Sequence, residues 1–225
     1  MDDAQRLIGI IDQFAATRVA LYGVLELDRF IIGTPNRNSR EAPVIILRHE
    51  EQRDIPGGGA NALANLAALG VRVSVVAAVG DDEPGRALTA ALNDCGVDTS
   101  RIETVPGYST PTKVRILGGG PSSLKHQVAR YDIEDSLPDE GDWRGSVLKH
   151  LREESSRCGA LAISDYGYGC VRPSALQHLA QSKPGTPWLC LDSRYRIGRF
   201  VGVHGATPNL EELELSLIHI SEPTR

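Results

Sequence analysis

A run of mostly β-branched and small apolar residues, VRVSVVAAVG at positions 71–80, constrains the fold more than any other segment. Such a nearly unbroken apolar run indicates a strand that is covered on both faces of its sheet. Helix-like segments flank it, ANALANLAALG ending at Gly70 and EPGRALTAALNDCG ending at Gly96, and glycine suits a helix C-terminus. Strands alternating with helices of this length predict a parallel α/β sheet.

The same rhythm recurs elsewhere in the chain. It appears as RVALYG before the glycine-rich turn and as GALAIS, RPSALQHLAQS and PWLCLDS towards the end, and a helix-like stripe precedes the first strand at Leu7, Ile8, Ile11 and Phe14. Residues 28–46 and 99–133 read instead as short antiparallel strands with glycine and proline turns. We expect these two segments to form a small β lid over one edge of the main sheet.

Composition excludes several classes of protein. Hydrophobic residues make up 41% and charged residues 24%, and the formal net charge of -5 comes without a basic stripe, which argues against nucleic acid as a partner. No apolar run approaches the roughly 20 residues that span a bilayer. The N-terminus carries acids where an export signal would carry Lys or Arg, so we expect a cytoplasmic protein. The 4 cysteines form no CxxC pair, which favours reduced thiols over a metal cage or a disulfide framework.

The last segment, LSLIHISEPTR at 215–225, breaks the pattern of the chain. It coincides letter for letter with one reading frame of an adapter used in transposase-based DNA sequencing libraries. We therefore expect residues 1–214 to be the N-terminal part of one domain, incomplete at its C-terminus, and residues 215–225 to be a non-native tail.

Glycines at the start of a helix give the first candidate binding element. PGGGAN places Gly57, Gly58 and Gly59 just before Asn61, with only Ala60 between them. Glycines allow close backbone approach, and the N–H groups of a helix N-terminus suit oxygen-rich or anionic ligands. A tight strand-to-helix turn without any ligand explains the same residues equally well.

Charged residues follow or lie on predicted strands. Asp28 comes just after the first strand, where a carboxylate can accept hydrogen bonds from two neighbouring sugar hydroxyls, although a surface turn explains it too. Lys113 and Arg115 share one face of a strand and suit an anionic group, or form a solvated face. Asp165 ends a predicted strand, where open α/β sheets bind ligands.

Further polar residues lie later in the chain or at a helix start. Asp192 ends another predicted strand, and Asn209 and Glu212 stand three residues apart at a helix start. In VGDDEPG, Asp81 and Asp82 favour helix capping near Gly85 rather than chemistry.

These motifs occur in an order that resembles one family. The order of GVLELDRF, SREAPV, PGGGAN, NLAALG, VGDDEPG, PTKVR, RYDIED, SDYGYG, DSR and TPNLEE is similar to that of the ribokinase-like (PfkB) carbohydrate kinases, in particular the kinase domain of bacterial ADP-heptose synthases. The resemblance implies a three-layer α/β sandwich with a mainly parallel sheet and a β lid. It also implies transfer of phosphate from ATP, with Mg²⁺, to heptose 7-phosphate, another phosphosugar or a simple hexose or pentose, and a homodimer formed through the lid.

The resemblance assigns roles to specific residues. The sugar or its phosphate would be held by Asp28, Gly57, Gly58, Asn61, Lys113, Arg115, Arg130 and Asp165. Nucleotide phosphates would pass near Asp192, with Asn209 and Glu212 organising phosphate and, indirectly, Mg²⁺.

Differences from the family pattern keep a second interpretation open. Val24 follows Gly23 where the family has Asp, Tyr168 stands where it has Lys, and Asp192-Ser193-Arg194 replaces Asp-Pro-Lys. The family's G-A-G-D motif, which supplies the base and the anion hole, does not occur in the sequence, so we expect residues 1–225 alone to be inactive. The alternative is a non-catalytic sugar-binding or regulatory protein of the same fold. A dinucleotide-binding oxidoreductase is disfavoured because no G-x-G-x-x-G follows the first strand.

Overall fold

The computed structural model describes residues 3–120, 123–177, 179 and 186–214. The expected non-native tail, 215–225, lies outside this range. The strands are β1 (Arg18–Gly23), β2 (Leu25–Asn38), β3 (Ile45–Gly57), β4 (Arg72–Gly80), β5 (Asp98–Val105), β6 (Thr112–Gly118), β7 (His126–Ile133), β8 (Ala160–Asp165), β9 (Trp188–Ser193) and β10 (Gly205–Ala206). The helices are α1 (Asp3–Ile11), α2 (Gly58–Ala68), α3 (Glu83–Asp94), α4 (Asp142–Ser155) and α5 (Pro173–Gln177).

Six strands form the main sheet in the order β10-β9-β8-β1-β4-β5. Every neighbouring pair in it is parallel, which confirms the predicted sheet type. The carboxyl ends of its strands therefore meet at one edge, where open α/β sheets place their ligands.

Helices cover both faces of the main sheet, which explains the unbroken apolar run in β4. Val75, Ala77 and Val79 pack with α2 and α3 in one buried cluster. Val76 and Ala78 point to the other face and pack with α4 and α5. Consecutive residues of a strand face opposite sides, so both must be apolar when both sides are covered. The result is the three-layer sandwich that the sequence predicts.

The remaining strands form a second sheet, called the lid below, in the order β3-β2-β6-β7. β2 pairs antiparallel with β3 and parallel with β6, and β6 pairs antiparallel with β7. The prediction that the lid includes residues from 99 onwards is wrong for 99–105, because β5 pairs with β4 at the edge of the main sheet. An edge strand is only partly covered, so its mixed polarity resembles that of a lid strand.

Two helices differ from expectation. No helix is expected from the sequence at 142–155, because α4 buries only a narrow stripe that includes Trp143, Val147 and Leu151 among many charged residues. The stripe predicted in the first helix is present, but α1 buries none of its residues. Only Phe14, beyond the end of α1, packs partly against the core. No helix in the described ranges has the length and apolar character that crossing a bilayer requires.

Candidate functional site

One face of the lid carries a lattice of charged side chains. Asp28 of β2 is opposite Lys113 of β6, and Arg115 is opposite Arg130 of β7. Because side chains alternate along a strand, residues two apart share a face, and this adds Glu26 on β2 and Asp132 on β7. The predicted residues Asp28, Lys113, Arg115 and Arg130 are therefore brought together.

Each cation of this lattice has a carboxylate partner. Lys113 Nζ lies 2.5 Å from Glu26 Oε2, Arg115 Nη2 lies 3.1 Å from Asp28 Oδ1, and Arg130 Nη2 lies 2.6 Å from Asp132 Oδ2. The bond to Asp132 raises the pKa of Arg130. Glu26, whose side chain is only 1% exposed, is not among the residues predicted from the sequence. The signal that could have found it is its spacing of two residues from Asp28 on a strand.

The glycine turn provides the space for these carboxylates. A Cβ on Gly57 would lie 2.6 Å from Asp28 Oδ2, and a Cβ on Gly58, whose φ is +52°, would lie 2.8 Å from Glu26 Oε2. The glycines are thus needed where two acidic side chains contact the backbone at the start of α2. Asn61 lies in the first turn of the same helix, and its exposed side chain accepts a hydrogen bond from Asn65 at 3.3 Å.

Tyr166 connects the lid to the carboxyl edge of the main sheet. It follows β8 directly, and Lys113 Nζ lies 5.5 Å from the centroid of its ring. Burial raises the pKa of Tyr166 to about 12, with further contributions from the negative charges of Asp192, Glu26 and Glu212. The charges that raise the pKa of this phenol belong both to the lid and to the predicted nucleotide-phosphate residues.

Asn209 and Glu212 form a reciprocal cap at the helical turn that begins at Leu210. The Asn209 N–H donates to Glu212 Oε2 at 2.9 Å, and the Glu212 N–H donates to Asn209 Oδ1 at 2.8 Å. This arrangement is a capping box with Asn in place of Ser or Thr. It fixes the Glu212 carboxylate through one oxygen and leaves the other oxygen without a hydrogen bond from the described residues.

Two carboxylates at this edge, those of Asp192 and Glu212, carry negative charges that a cation would neutralise. Burial raises the pKa of Asp192, and the negative charges of Glu212 and Asp165 raise it further. No group of three or more His, Cys, Asp or Glu within the described ranges could hold a metal by itself. Mg²⁺ commonly uses one or two carboxylates together with water and substrate phosphates, and Asp192 and Glu212 fit that partial donor set.

Asp165 differs from its predicted role as a sugar ligand. Its side chain is 1% exposed and lies 2.5 Å from Arg196 Nη2. Its oxygens also accept hydrogen bonds from Arg196 Nε, Ser193 Oγ and the Gly167 N–H. These bonds occupy the acceptor positions of both carboxylate oxygens. Asp165 therefore ties the ends of β8 and β9 together and presents no free oxygen to a ligand.

Tyr168, which stands where the family pattern has lysine, contacts the segment that follows β7. Its hydroxyl donates to Glu134 Oε1 at 2.6 Å, just beyond the end of β7. Burial and this contact raise the pKa of Tyr168, so the phenol stays neutral. Unlike the lysine of the family pattern, it cannot supply a positive charge.

The N-terminus of α3 confirms the predicted capping role of Asp82. Its carboxylate accepts a hydrogen bond from the Gly85 N–H at 2.8 Å and from the Thr110 N–H at 2.7 Å. Asp82 therefore caps the helix and fixes the loop that leads into β6, the strand that carries Lys113 and Arg115.

Comparison with known proteins identifies relatives of this chain. The bifunctional protein HldE of Hahella chejuensis is 34% identical over 212 residues, which cover 93% of this chain and 42% of that protein. HldE of Hyphomonas neptunium is 36% identical over 174 residues, 77% of this chain and 35% of that protein. The chain thus spans less than half the length of these curated relatives.

Solved structures show the same fold. The Escherichia coli phosphofructokinase-2 in complex with substrates and products has a TM-score of 0.62 at 20% identity, covering 90% of this chain and 63% of that chain. Arabidopsis thaliana ribokinase complexed with ribose and ATP has a TM-score of 0.58 at 17% identity, covering 88% and 62%. Residues 17–135 match the pfkB family of carbohydrate kinases. The chain therefore belongs to the pfkB carbohydrate kinase family.

Proposed function

We propose that this chain provides the sugar site, and part of the nucleotide-phosphate site, of an ATP-dependent kinase that acts on heptose 7-phosphate. The observation that carries the proposal is the lid face beside the glycine turn, where Asp28 lies opposite Lys113 and forms an ion pair with Arg115. Support for the heptose comes from relatives named HldE, which are 30–36% identical.

Asp28 is the proposed sugar ligand. Both hydrogen bonds from Arg115 end on Oδ1, at 3.2 Å and 3.1 Å. Oδ2 faces the space beside Gly57 and remains available to accept hydrogen bonds from two neighbouring hydroxyls. The Asn61 amide, in the first turn of α2, is exposed and supplies further hydrogen-bond donors.

The cations of the lid are the proposed phosphate ligands. Arg115 has five N–H donors, and Nη1 makes only a 3.4 Å contact with Gln127. Donors therefore remain for a phosphate while the pair with Asp28 is kept. Lys113 precedes Arg115 by two residues on β6, and Arg130 is opposite Arg115 on β7. All three share one face, so a phosphate bound there meets three positive charges, each offset by one carboxylate.

Asp192 and Glu212 are the proposed partners of Mg²⁺ and of the ATP phosphates. ATP supplies the phosphoryl group, and Mg²⁺ neutralises its charge during transfer. Asp192 is a half-buried carboxylate whose pKa is raised by burial and by the charge of Glu212, and a cation at this point relieves the repulsion between them. The G-A-G-D motif to which the resemblance assigns the base has no counterpart in residues 1–225, so the present residues bind and orient.

A homodimer through the lid is a further part of the proposal. The lid exposes several large apolar side chains, each more than 45% exposed: Ile45, Val128 and Tyr131. β7 also lies at an edge of the lid sheet, where an unpaired strand can pair with a second copy.

A second candidate function, sugar binding without transfer, is favoured by one observation. Tyr168 stands at the family's lysine position and donates to Glu134, so it offers no cation to a transferring phosphate.

The experiment that tests both candidates is calorimetric titration followed by an activity assay of the full-length protein. Heptose 7-phosphate, unphosphorylated heptose, fructose 6-phosphate and ribose are titrated with and without ATP and Mg²⁺. The kinase proposal predicts that heptose 7-phosphate binds best and that ADP is released in its presence. Binding without ADP release supports the second candidate, and equal affinity for all four sugars contradicts the proposed substrate.

A further inference from the structure

A cavity separate from the candidate site lies between α4 and α5, on the face of the main sheet opposite α2 and α3. Its volume is about 230 Å³, and three arginines line it: Arg144, Arg152 and Arg172. None of its lining residues belongs to the lid or to the Asp192 and Glu212 pair. It is therefore a second concave surface with a chemistry of its own.

Two of these arginines converge on one acceptor. Arg144 Nε donates to the Asp139 carbonyl oxygen at 3.0 Å, and Arg172 Nη2 donates to the same oxygen at 3.1 Å. A shared acceptor brings two like charges within a few ångströms of each other, where they repel. Burial lowers the pKa of Arg144, and the charge of Arg172 lowers it further.

Little negative charge within the described residues offsets this pair. Arg172 meets the Asp139 carboxylate at 2.9 Å, but the Asp139 side chain is 97% exposed, and exposed pairs of this kind contribute little. The other bonds of Arg144 end on the carbonyl oxygens of Pro138 and Gly169, at 3.0 Å and 3.4 Å. Arg144 has no carboxylate partner in the described ranges. Positive charge therefore exceeds negative charge at this cavity.

The rest of the cavity combines a third cation with an apolar floor. The Arg152 side chain makes no hydrogen bond or ion pair with the described residues and lies exposed at the rim. Leu148, Leu151 and Ala175 line the wall beside the arginines. A ligand that satisfies both parts carries about two negative charges at one end and a small hydrocarbon body at the other.

We propose that this cavity binds a small organic phosphate monoester. Its phosphate contacts Arg144 and Arg172, and its apolar body packs on Leu148 and Leu151. A phosphate monoester carries a charge of about -1.5 to -2 at neutral pH, which matches two guanidinium groups. A phosphate also accepts the paired N–H bonds that a guanidinium fork donates. A carboxylate brings half of that charge.

Titration of the chain with cyclohexyl phosphate tests the proposal, in buffer free of phosphate and sulfate. Calorimetry measures binding directly. A Trp188→Phe background leaves Trp143 as the only tryptophan of the sequence, and its ring lies 4.3 Å from the Arg144 guanidinium carbon, so its fluorescence reports on the same place. Cyclohexanol and cyclohexanecarboxylate are the matched controls for the phosphate group. Inorganic phosphate is the control for the apolar body.

The proposal expects saturable 1:1 binding of cyclohexyl phosphate with a change in Trp143 fluorescence. All three controls are expected to bind at least about tenfold more weakly, since each loses a charge-assisted bond or the apolar contact. Arg144→Gln is expected to weaken binding by about tenfold or more. Arg152→Gln, which removes no hydrogen bond or ion pair within the described residues, is expected to weaken it by about two- to fivefold.

The control variant is Arg157→Gln, an exposed residue just beyond α4 that does not line the cavity. It is expected to leave affinity unchanged. Because Arg152→Gln cannot disturb a bond of the described fold, it keeps the test decisive even if Arg144→Gln unfolds. Absence of saturable binding, equal affinity for cyclohexanecarboxylate, or equal effects of Arg152→Gln and Arg157→Gln would overturn the proposal.

Discussion

The Asp28 carboxylate occupies the space that a side chain on residue 57 would need, since a Cβ there would lie 2.6 Å from Asp28 Oδ2. The backbone of Gly57 is extended, with φ of -113°, so no left-handed conformation demands glycine at this position. The requirement comes from the carboxylate instead. This contact makes the glycine turn and the acidic strand one unit, and it gives the turn a role beyond connecting β3 to α2.

Gly57→Ala is predicted to weaken sugar binding with little effect on the stability of the fold. The added methyl group displaces the end of a flexible side chain, so the free energy of unfolding is expected to change by less than about 1 kcal/mol. Sugar affinity is expected to fall about tenfold or more, because Asp28 leaves its position. Urea unfolding and calorimetry measure the two quantities.

The matched control for Gly57→Ala is Gly145→Ala within α4, where a Cβ meets nothing within 4 Å. Alanine there is expected to stabilise the helix by about 0.5–1 kcal/mol without affecting sugar binding. A Gly57→Ala variant that binds sugar like the wild type would contradict the role of the turn.

The buried pair of Glu26 and Lys113 is predicted to be strongly coupled. Glu26→Gln leaves the Lys113 ammonium, whose side chain is 18% exposed, without its partner, and is expected to cost about 2–4 kcal/mol of unfolding free energy. The double variant with Lys113→Met removes both charges and is expected to recover a large part of that loss. Urea unfolding of all four proteins gives the coupling energy. Additive effects would show that the 2.5 Å pair contributes no interaction of its own.

Arg29 is predicted to hold the lid against α3. It lies on the opposite face of β2 from Asp28 and donates to Asp54 at 2.7 Å and to Glu83 at 2.7 Å. Lysine keeps the charge but not the planar fork, so Arg29→Lys is expected to speed amide exchange in β2 and β3 by roughly three- to tenfold. Exchange in β1 and β4 is expected to stay the same.

The control for Arg29→Lys is Arg53→Lys. This variant alters an exposed ion pair between Arg53 and Glu51, which both lie on β3. Hydrogen exchange read by mass spectrometry distinguishes the two variants. Equal protection of the lid in both would mean that the contact with Glu83 does not fasten it.

The raised pKa of Asp192 predicts a pH-dependent stability. The folded state disfavours the charged carboxylate, so this group makes the protein less stable as pH rises from the ordinary aspartate value through the raised one. Asp192→Asn is therefore expected to raise the melting temperature at pH 7. The difference is expected to vanish near pH 3, below the ordinary pKa of about 3.9.

Asp12→Asn, at an exposed carboxylate with no side-chain partner in the described ranges, serves as the control for Asp192→Asn. Thermal unfolding at both pH values measures the effect. A lower melting temperature for Asp192→Asn at pH 7 would show that the wild-type carboxylate is already compensated.

The main sheet was predictable because a strand that is covered on both faces has apolar residues along its whole length. Both faces of β4 are covered, so the apolar run is unbroken, and Gly70 and Gly96 take positive φ at the ends of α2 and α3. β5 was assigned to the lid and α4 was not predicted, because each is only partly buried. Their assignment depends on which neighbour covers them, and that is a property of the tertiary structure.

The candidate site was predictable as a set of residues but not as a network. Asp28, Lys113 and Arg115 could be chosen from their strands. Their partners could not, since the pairing of Glu26 with Lys113 crosses 87 positions of sequence. Asp165 shows the converse, because a strand-end position predicts proximity to a ligand but not whether Arg196 already occupies the carboxylate.

The most direct test of the central claim compares two aspartates of the lid. Asp28 pairs with Arg115 on the face beside the glycine turn, and Asp54 pairs with Arg29 on the opposite face. Calorimetric titration of heptose 7-phosphate is made with Asp28→Asn and with Asp54→Asn. We predict that Asp28→Asn loses affinity by at least about tenfold while Asp54→Asn keeps it within about threefold. Equal losses, or a loss confined to Asp54→Asn, would contradict the assignment of this face as the sugar site.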